Sequence, residues 1–218
     1  MLLTERSGRG NHMANSFLSL PDERRNSIIN AALRVFSQYG YKKSPMNEIA
    51  AEAGISKSLL FYYFRNKKEL YLYLAEYCAE VNKQEVLKND CYGKDGFFEV
   101  LTAGLKVKVG QMRRCPELAM FEMRGFFEND PELKRDVRAL IESYSQFEMQ
   151  KNMMAFDPSE FIEGLDLEMM YRNIYLAAEG FFWEFLNSGD INPDKLERGY
   201  MQLINHWKQI YLRKETSS

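Results

Sequence analysis

The sequence is poor in the residues that build disulfide frameworks, metal centres and membrane spans. Its three cysteines are scattered and odd in number, which argues against a disulfide scaffold and favours a reduced, cytoplasmic protein. The two histidines, His12 and His206, are too few for a zinc site, and no CxxC pair occurs. The most apolar late stretch, residues 173–186, is interrupted by Glu179 and Glu184 and is too short to span a bilayer. We therefore expect no cofactor, no metal and no membrane partner.

Signatures of catalysis are missing as well. The sequence has no nucleophile–base pair, no Walker loop and no GxGxxG, and neither histidine lies in a plausible catalytic site. An enzyme is therefore the least favoured class of function for this chain.

Charge is distributed unevenly along a chain of otherwise ordinary globular composition. Hydrophobic residues make up 45% of the 218 positions, enough for a sizeable core, and the net charge is only −2. Residues 21–68, however, hold nine basic and four acidic side chains, a net charge of +5. A small basic segment joined to an acidic body favours a polyanion-binding head on a soluble support.

Helical periodicity dominates the chain, and no alternating strand pattern of useful length occurs. Pro21 and Asp22 open a first amphipathic helix, which Gly40 ends. The predicted N-caps of the next three helices are Ser44, Ser56 and Asn66. Longer helices are predicted at about 95–113, 116–129, 130–155, 166–187 and 193–214. The predicted fold is all-α with roughly nine helices.

Residues 46–65 have the pattern of a helix-turn-helix. Ala50 must be small because the second helix crosses close to it, and Gly54 follows where the turn needs a positive φ angle. Ile55 and Leu60 then pack the second helix onto the first. Because the motif lies inside the basic segment and follows an amphipathic helix, the sequence predicts a DNA-binding head.

Side chains on and around the second short helix suit DNA. The N-terminal end of this helix enters the major groove, where Lys57 can reach a guanine edge or a phosphate. Tyrosine hydroxyls can reach phosphates, and Lys67 acts together with the dipole of the next helix. The predicted DNA contacts are Ser44, Ser56, Lys57, Ser58, Leu59, Tyr62, Tyr63 and Lys67. Structural readings stay open, with the serines as caps, Tyr63 as core and Lys67 as a solvated charge.

The segment from about Arg25 to Leu74 resembles the N-terminal domain of the TetR family of bacterial repressors. It has the family's helix ending in Phe and Gly, then the IAAEAGIS turn, then an FxxKxxL run that ends at Leu70. Two positions depart from the family pattern. Phe61 replaces the usual Tyr, so a phosphate-bonding hydroxyl is missing, and Ser58 replaces a frequent Gly. We expect these changes to alter affinity or target sequence, and not DNA binding itself.

The resemblance implies a homodimer that binds an inverted-repeat operator in double-stranded DNA. In the family, the last two helices of each subunit pack as a four-helix bundle, and the apolar faces within residues 166–214 agree with this. The residues expected at this interface are Ala177, Phe181, Phe185, Tyr200, Leu203, Ile204 and Trp207. An ordinary intrachain core is the alternative interpretation of these residues.

Residues 97–186 are rich in Met, Phe and Tyr, which suit a pocket for a bulky hydrophobic ligand. The predicted ligand contacts are Met112, Met120, Phe121, Met123, Phe126, Phe127, Tyr144, Phe147, Tyr175 and Phe182. A carboxylate from Glu122, Glu148 or Glu179 facing such a pocket would favour a cation. A plain core is the competing interpretation. The resemblance further implies that ligand in the body shifts the fourth helix and changes the spacing of the two recognition helices.

The favoured function is a ligand-responsive transcriptional regulator, in the first instance a repressor that a hydrophobic small molecule releases from DNA. The alternative is a DNA-binding protein without a small-molecule effector, controlled by a protein partner.

Five parts make up the expected domain organisation. Residues 1–12 are expected to be an expression tag, because the His12-Met13 dipeptide is one that a common cloning junction encodes. The other parts are an N-terminal arm (13–20), a helix-turn-helix DNA-binding domain (21–68), a helical ligand-binding and dimerisation domain (69–214) and a C-terminal tail (215–218).

Overall fold

The computed structural model describes residues 16–154 and 156–214, so the expected tag at 1–12 and tail at 215–218 lie outside the described residues. Nine helices of seven residues or more form within these ranges, which confirms the all-α fold class. They are α1 (Asp22–Lys43), α2 (Met46–Glu52), α3 (Lys57–Tyr63), α4 (Lys67–Lys88), α5 (Phe97–Arg114), α6 (Pro116–Phe126), α7 (Lys134–Met154), α8 (Leu167–Asn187) and α9 (Pro193–Tyr211). Among the described helices, none is long and apolar enough to cross a membrane.

Two helices of the DNA-binding head begin at the side-chain N-caps that the sequence predicted. The Ser56 hydroxyl accepts a hydrogen bond from the Leu59 N–H (3.1 Å), and the Asn66 carboxamide oxygen accepts one from the Glu69 N–H (2.8 Å). Each cap satisfies a backbone donor that the first helical turn leaves without a partner.

Two later helices start after their predicted positions. α5 begins at Phe97 because Gly96 has a φ of +99°, which no helical residue adopts. α7 begins at Lys134, since the Asp130 carboxylate accepts the Glu132 N–H (2.9 Å) and holds the preceding residues in a turn. Local turn chemistry therefore delays both helices.

The described chain forms two compact units. The first contains the residues up to Cys78 together with Met120–Arg138, and the second contains Ala79–Ala119 together with the residues from Ala139 onward. The division therefore passes through α4, α6 and α7, whereas the sequence analysis placed the boundary between the DNA-binding and the helical ligand-binding domain between residues 68 and 69.

Aromatic rings fill the core of the first unit. The ring of Phe36 packs against those of Tyr71 and Phe121, with centroids 5.1 and 6.2 Å apart. Phe17, from the segment predicted to be an arm, is buried with its ring centroid 4.8 Å from that of Phe64. The arm therefore contributes to the core of the DNA-binding head, and Phe121 is a core residue there.

The second unit is built around the pairing of α5 with α9. Val109 on α5 and Ile204 and Trp207 on α9 are buried in this unit. Beside them the rings of Phe156 and Phe161 stack with centroids 4.5 Å apart, next to an isolated backbone bridge that brings the end of the described chain onto the same core.

We expect Gly54→Ala to lower the free energy of unfolding by about 1–2 kcal/mol, because Gly54 has a φ of +65° that costs a residue with a Cβ this much. A Cβ there would meet no atom within 4 Å, so the loss comes from the backbone alone. Gly104→Ala, equally open but inside α5, is the matched control and should raise stability by about 0.5–1 kcal/mol. Urea unfolding followed by circular dichroism measures both, and effects of the same sign would contradict this account.

Candidate nucleic-acid interface

α2 and α3 form the predicted helix-turn-helix. Ala50 of α2 and Leu60 of α3 are buried where the two helices pack, as the sequence predicted. Gly54 takes its positive φ in the turn, and the Ile55 N–H donates to the Ala50 carbonyl at 3.0 Å. The tight turn fixes the direction in which α3 leaves α2.

The outer face of α3 carries exposed polar side chains. Ser56, Lys57 and Ser58 are exposed at its N-terminal end, and Tyr62 is 57% exposed one turn later. Leu59 is half-buried beside them. This face has the mixture of hydroxyl, ammonium and small apolar groups that contacts phosphates and base edges.

Ser44 does not cap α2, so the predicted cap is wrong. Pro45 occupies the N-cap position, and no side chain caps the helix. Ser44 is only 2% exposed, and its hydroxyl donates to the carbonyl of Gly40 at 2.6 Å, with that of Val35 at 3.2 Å. The break in α1 at Gly40 leaves a carbonyl that needs a donor, and the Ser44 side chain turns inward to supply it.

Lys67 is half-buried and bonded within the head. Its ammonium donates to the carbonyls of Lys42 and Ser44, both at 3.1 Å, and lies 5.0 Å from the ring centroid of Tyr41. Burial lowers the pKa of Lys67 and outweighs the opposite effect of nearby carboxylates. The side chain predicted to hold a phosphate therefore holds the end of α1 and the residues before α2 in this structure.

Tyr63 belongs to the core of the first unit, the structural reading that the sequence left open. Its ring is buried, with the centroid 5.8 Å from that of Phe17 in an edge-on arrangement. Tyr62, its neighbour, carries the exposed phenol instead, because successive residues of a helix face different directions.

A set of contacts that the sequence did not predict joins the start of α4 to the segment before α7. The Lys68 ammonium donates to the Glu132 carbonyl and pairs with the Asp136 carboxylate, both at 2.8 Å. The Tyr41 hydroxyl donates to the Glu132 carboxylate at 2.9 Å, and burial together with this bond raises the pKa of Tyr41. The hydrogen-bond partners are 64 and 91 residues apart, so no local pattern indicates them.

The sequence profile described as bacterial regulatory proteins of the tetR family matches residues 28–74, which include α2, α3 and their turn. Residues 28–74 belong to the TetR family of DNA-binding domains.

Curated relatives match part of this chain. It is 45% identical over 69 residues to the HTH-type transcriptional activator FasR of Mycolicibacterium smegmatis, covering 31% of this chain and 30% of that protein. It is 32% identical over 79 residues to IcaR of Staphylococcus epidermidis, a negative regulator of the biofilm operon icaADBC, covering 35% of this chain and 43% of that protein. The matches thus span less than half of either relative.

A solved structure extends the likeness of fold beyond the head. A TetR family transcriptional regulator from Chloroflexus aurantiacus superimposes with a TM-score of 0.69 at 20% identity, covering 92% of this chain and 98% of that one. At this identity the likeness is one of fold, and its coverage includes the second unit.

The predicted ligand contacts are divided between the two units. Those in the first unit are Met120, Phe121, Met123, Phe126 and Phe127. Those in the second unit are Met112, Tyr144, Phe147, Tyr175 and Phe182. Phe121 lies in the first core, and Phe126 is exposed, so neither lines the interior of the second unit. Four of the second group are half-buried, as side chains lining an interior site would be.

Glu148 does not offer an open negative charge to a cation. Its carboxylate accepts a hydrogen bond from the Lys108 ammonium at 3.0 Å. The expectation of a cationic ligand rested on this carboxylate among others, and a basic partner already neutralises it.

The structure changes the expected dimer face. Phe185, Ile204 and Trp207 are buried within the single chain, which is the intrachain reading. Phe181, Tyr200 and Leu203 are half-buried, and Ala177 is exposed. The exposed large apolar residues of α8 are instead Met169, Leu176 and Trp183, none of which the sequence analysis placed at the dimer interface. Its periodicity indicated an apolar helix without indicating which stripe faces outward.

We expect Lys67→Met to lower the free energy of unfolding by about 1–3 kcal/mol, because two carbonyls at the end of α1 lose their charged donor. Lys43→Met is the matched control, since Lys43 is exposed on the last turn of α1 and should change stability by less than about 0.5 kcal/mol. Thermal unfolding of both variants measures the difference. An equal, small change in the free energy of unfolding at both positions would show that the Lys67 contacts do not stabilise the fold.

Proposed function

We propose that the chain is a ligand-responsive transcription regulator that binds an inverted-repeat operator as a homodimer, in the first instance as a repressor. The observation that carries the proposal is the exposed face of α3, where Ser56, Lys57, Ser58 and Tyr62 surround the outer surface of a helix-turn-helix with a TetR-family sequence. Repression requires only that the bound protein occupies the operator, whereas activation requires a further contact with the transcription machinery.

The proposed DNA interface contains fewer residues than the sequence indicated. Lys57 stands at the end of α3 that enters the major groove, within reach of a guanine edge or a phosphate. Its ammonium lies 5.8 Å from the ring centroid of Phe61, so this ring holds the lysine along the outer surface. Tyr62 offers a hydroxyl to a phosphate, while Tyr63 and Lys67 support the motif from within.

The proposed dimer interface lies on α8. Leu176 and Trp183, each 52% exposed, are seven residues apart and therefore share a face with Gly180 between them. Ala177 is exposed beside this stripe. An exposed apolar stripe of this kind marks an interaction surface, and a second copy supplies the second recognition helix that a two-half-site operator needs.

A small-molecule effector is preferred over control by a protein partner alone because of the interior of the second unit. There Gln111 is 5% exposed, on the same helix as the half-buried Lys108, which bonds Glu148. Polar groups inside a core are costly without a function, and a ligand site provides one.

Selection of genomic fragments by the full chain, at low and moderate salt, tests the DNA-binding proposal. We expect one inverted repeat to be recovered at both salt concentrations. Random fragments that are lost as salt rises would indicate phosphate binding without sequence recognition and would contradict the proposal.

We expect Lys57→Met to lower the affinity for the selected repeat by about tenfold or more, because the variant loses one base or phosphate contact. The dependence of affinity on salt should also become shallower by about one counterion if that contact is a phosphate. Fluorescence anisotropy at several salt concentrations measures both quantities. Lys106→Met removes one exposed charge from α5 and should change neither, so equal losses in the two variants would refute a specific role for Lys57.

We expect Gly180→Arg to convert the dimer into a monomer, because the new side chain would stand in the middle of the α8 stripe. In the single chain a Cβ at Gly180 meets no atom within 4 Å, and arginine favours helix over glycine, so the fold itself should be kept. Gly104→Arg is the matched control, as Gly104 is another open helical glycine. Analytical ultracentrifugation measures the oligomeric state of both variants. A Gly180→Arg protein that stays dimeric would show that the interface lies elsewhere.

A further inference from the structure

One buried polar group of α5 has no partner in the part of the chain that the structure describes. Gln111 is 5% exposed, and its Nε2 makes no hydrogen bond with any described residue. It lies three residues after Lys108 and so shares a helix face with it. Buried amide donors nearly always have an acceptor, so this donor calls for an acceptor from outside the chain.

Lys108 is a half-buried residue on the same helix. Its ammonium pairs with Glu148 at 3.0 Å. Burial lowers the pKa of Lys108, but the charge and the hydrogen bond of Glu148 outweigh it, so the pKa is raised overall. At the same time 42% of the Lys108 side-chain surface is open. Part of the Lys108 side chain is therefore accessible to a further group.

Tyrosines surround this ion pair. The ring centroid of Tyr144 lies 6.0 Å from the Lys108 ammonium. Tyr92, Tyr171 and Tyr200 are each close enough for both charges of the pair to act on their pKa values. Burial is the main cause that raises the pKa of Tyr200 to about 12, so its hydroxyl is neutral at physiological pH. The surroundings of the pair are therefore aromatic faces with a few neutral hydroxyls.

We propose that Gln111, the Lys108–Glu148 pair and the tyrosines around them form the effector site, and that it takes a neutral, largely apolar ligand with a carbonyl-type oxygen. This inference rests on the proposed function, which supplies the need for an effector. The ligand oxygen accepts from the Gln111 Nε2 and from ammonium N–H groups of Lys108 that do not bond Glu148.

Charge balance selects a neutral ligand. Lys108 and Glu148 neutralise each other, so a carboxylate ligand would leave an excess negative charge inside the protein. A cation would have to compete with Lys108 for Glu148 and would leave one positive charge without a partner. A carbonyl oxygen keeps the pair intact and gives the Gln111 donor its acceptor, while the apolar part of the ligand packs on the aromatic rings.

Calorimetric titration of the full chain with three eight-carbon probes tests the ligand class. The probes are 2-octanone, octanoate and octyltrimethylammonium, which have flexible alkyl chains and head groups that differ in charge. We expect 2-octanone to bind tighter than either ion by about tenfold or more. Equal or tighter binding of an ion, or no binding of 2-octanone up to its solubility limit, would overturn the proposal.

Gln111→Met tests the role of the amide, because methionine keeps the length of the side chain and removes the donor. We expect the affinity for 2-octanone to fall about five- to tenfold and the Tm of the ligand-free protein to rise by about 2–4 °C. Gln146→Met, at an exposed position of α7, is the matched control and should change neither. A lower Tm for ligand-free Gln111→Met would show that the amide is structural and would overturn the proposal.

Operator binding by the same preparations, without probe, separates this inference from the proposed function. If the chain binds a specific operator but does not bind 2-octanone more tightly than the ionic probes, the inference is refuted and the DNA-binding function is supported. Preference for the ketone in a chain that binds no operator supports the site and refutes the function.

Discussion

The DNA-binding head depends on how the carbonyl groups at the end of α1 are satisfied. Gly40 interrupts this helix with a φ of +71°, and the helix ends at Lys43, so the carbonyls near its end lack helical donors. The Ser44 hydroxyl bonds the Gly40 carbonyl, and the Lys67 ammonium bonds those of Lys42 and Ser44. Because Lys67 belongs to the first turn of α4, one side chain holds the end of α1, the entry to α2 and the start of α4 together. These bonds therefore hold the segments on either side of the helix-turn-helix.

α3 has too few residues to be stable alone, so its conformation comes from packing. Leu60 and Tyr63 face inward into the core. Phe17, from the segment before α1, packs against Tyr63 in the same core. The opposite face of α3 takes no part in this packing and carries the exposed side chains of Lys57 and Tyr62. The same seven residues thus divide into a buried half that holds the helix in place and an exposed half available to DNA.

The sequence predicted those parts of the head that neighbouring residues control. Gly54 and Ser56 act within one turn of themselves, so the positive φ and the cap follow from residue type and spacing. Ser44, Tyr63 and Lys67 were assigned to DNA on residue type, but their partners come from other helices. The exposed stripe of α8 was missed for a related reason, since periodicity identifies an apolar face without stating whether the same chain or another covers it.

The chemistry of the second unit was the least predictable because distant residues create it. Glu148 read alone favours a cation, and Lys108, forty residues earlier, reverses that inference by neutralising it. A pair of this kind and an amide donor without an acceptor both cost stability relative to apolar packing of the same volume. Lys108 and Gln111 are one turn apart on α5, whereas Val109 and Met112 beside them are buried apolar residues of an ordinary core. A buried amide without an acceptor among the described residues, one turn from a charged pair, departs from ordinary core packing, and such local departures are expected where a protein binds a ligand.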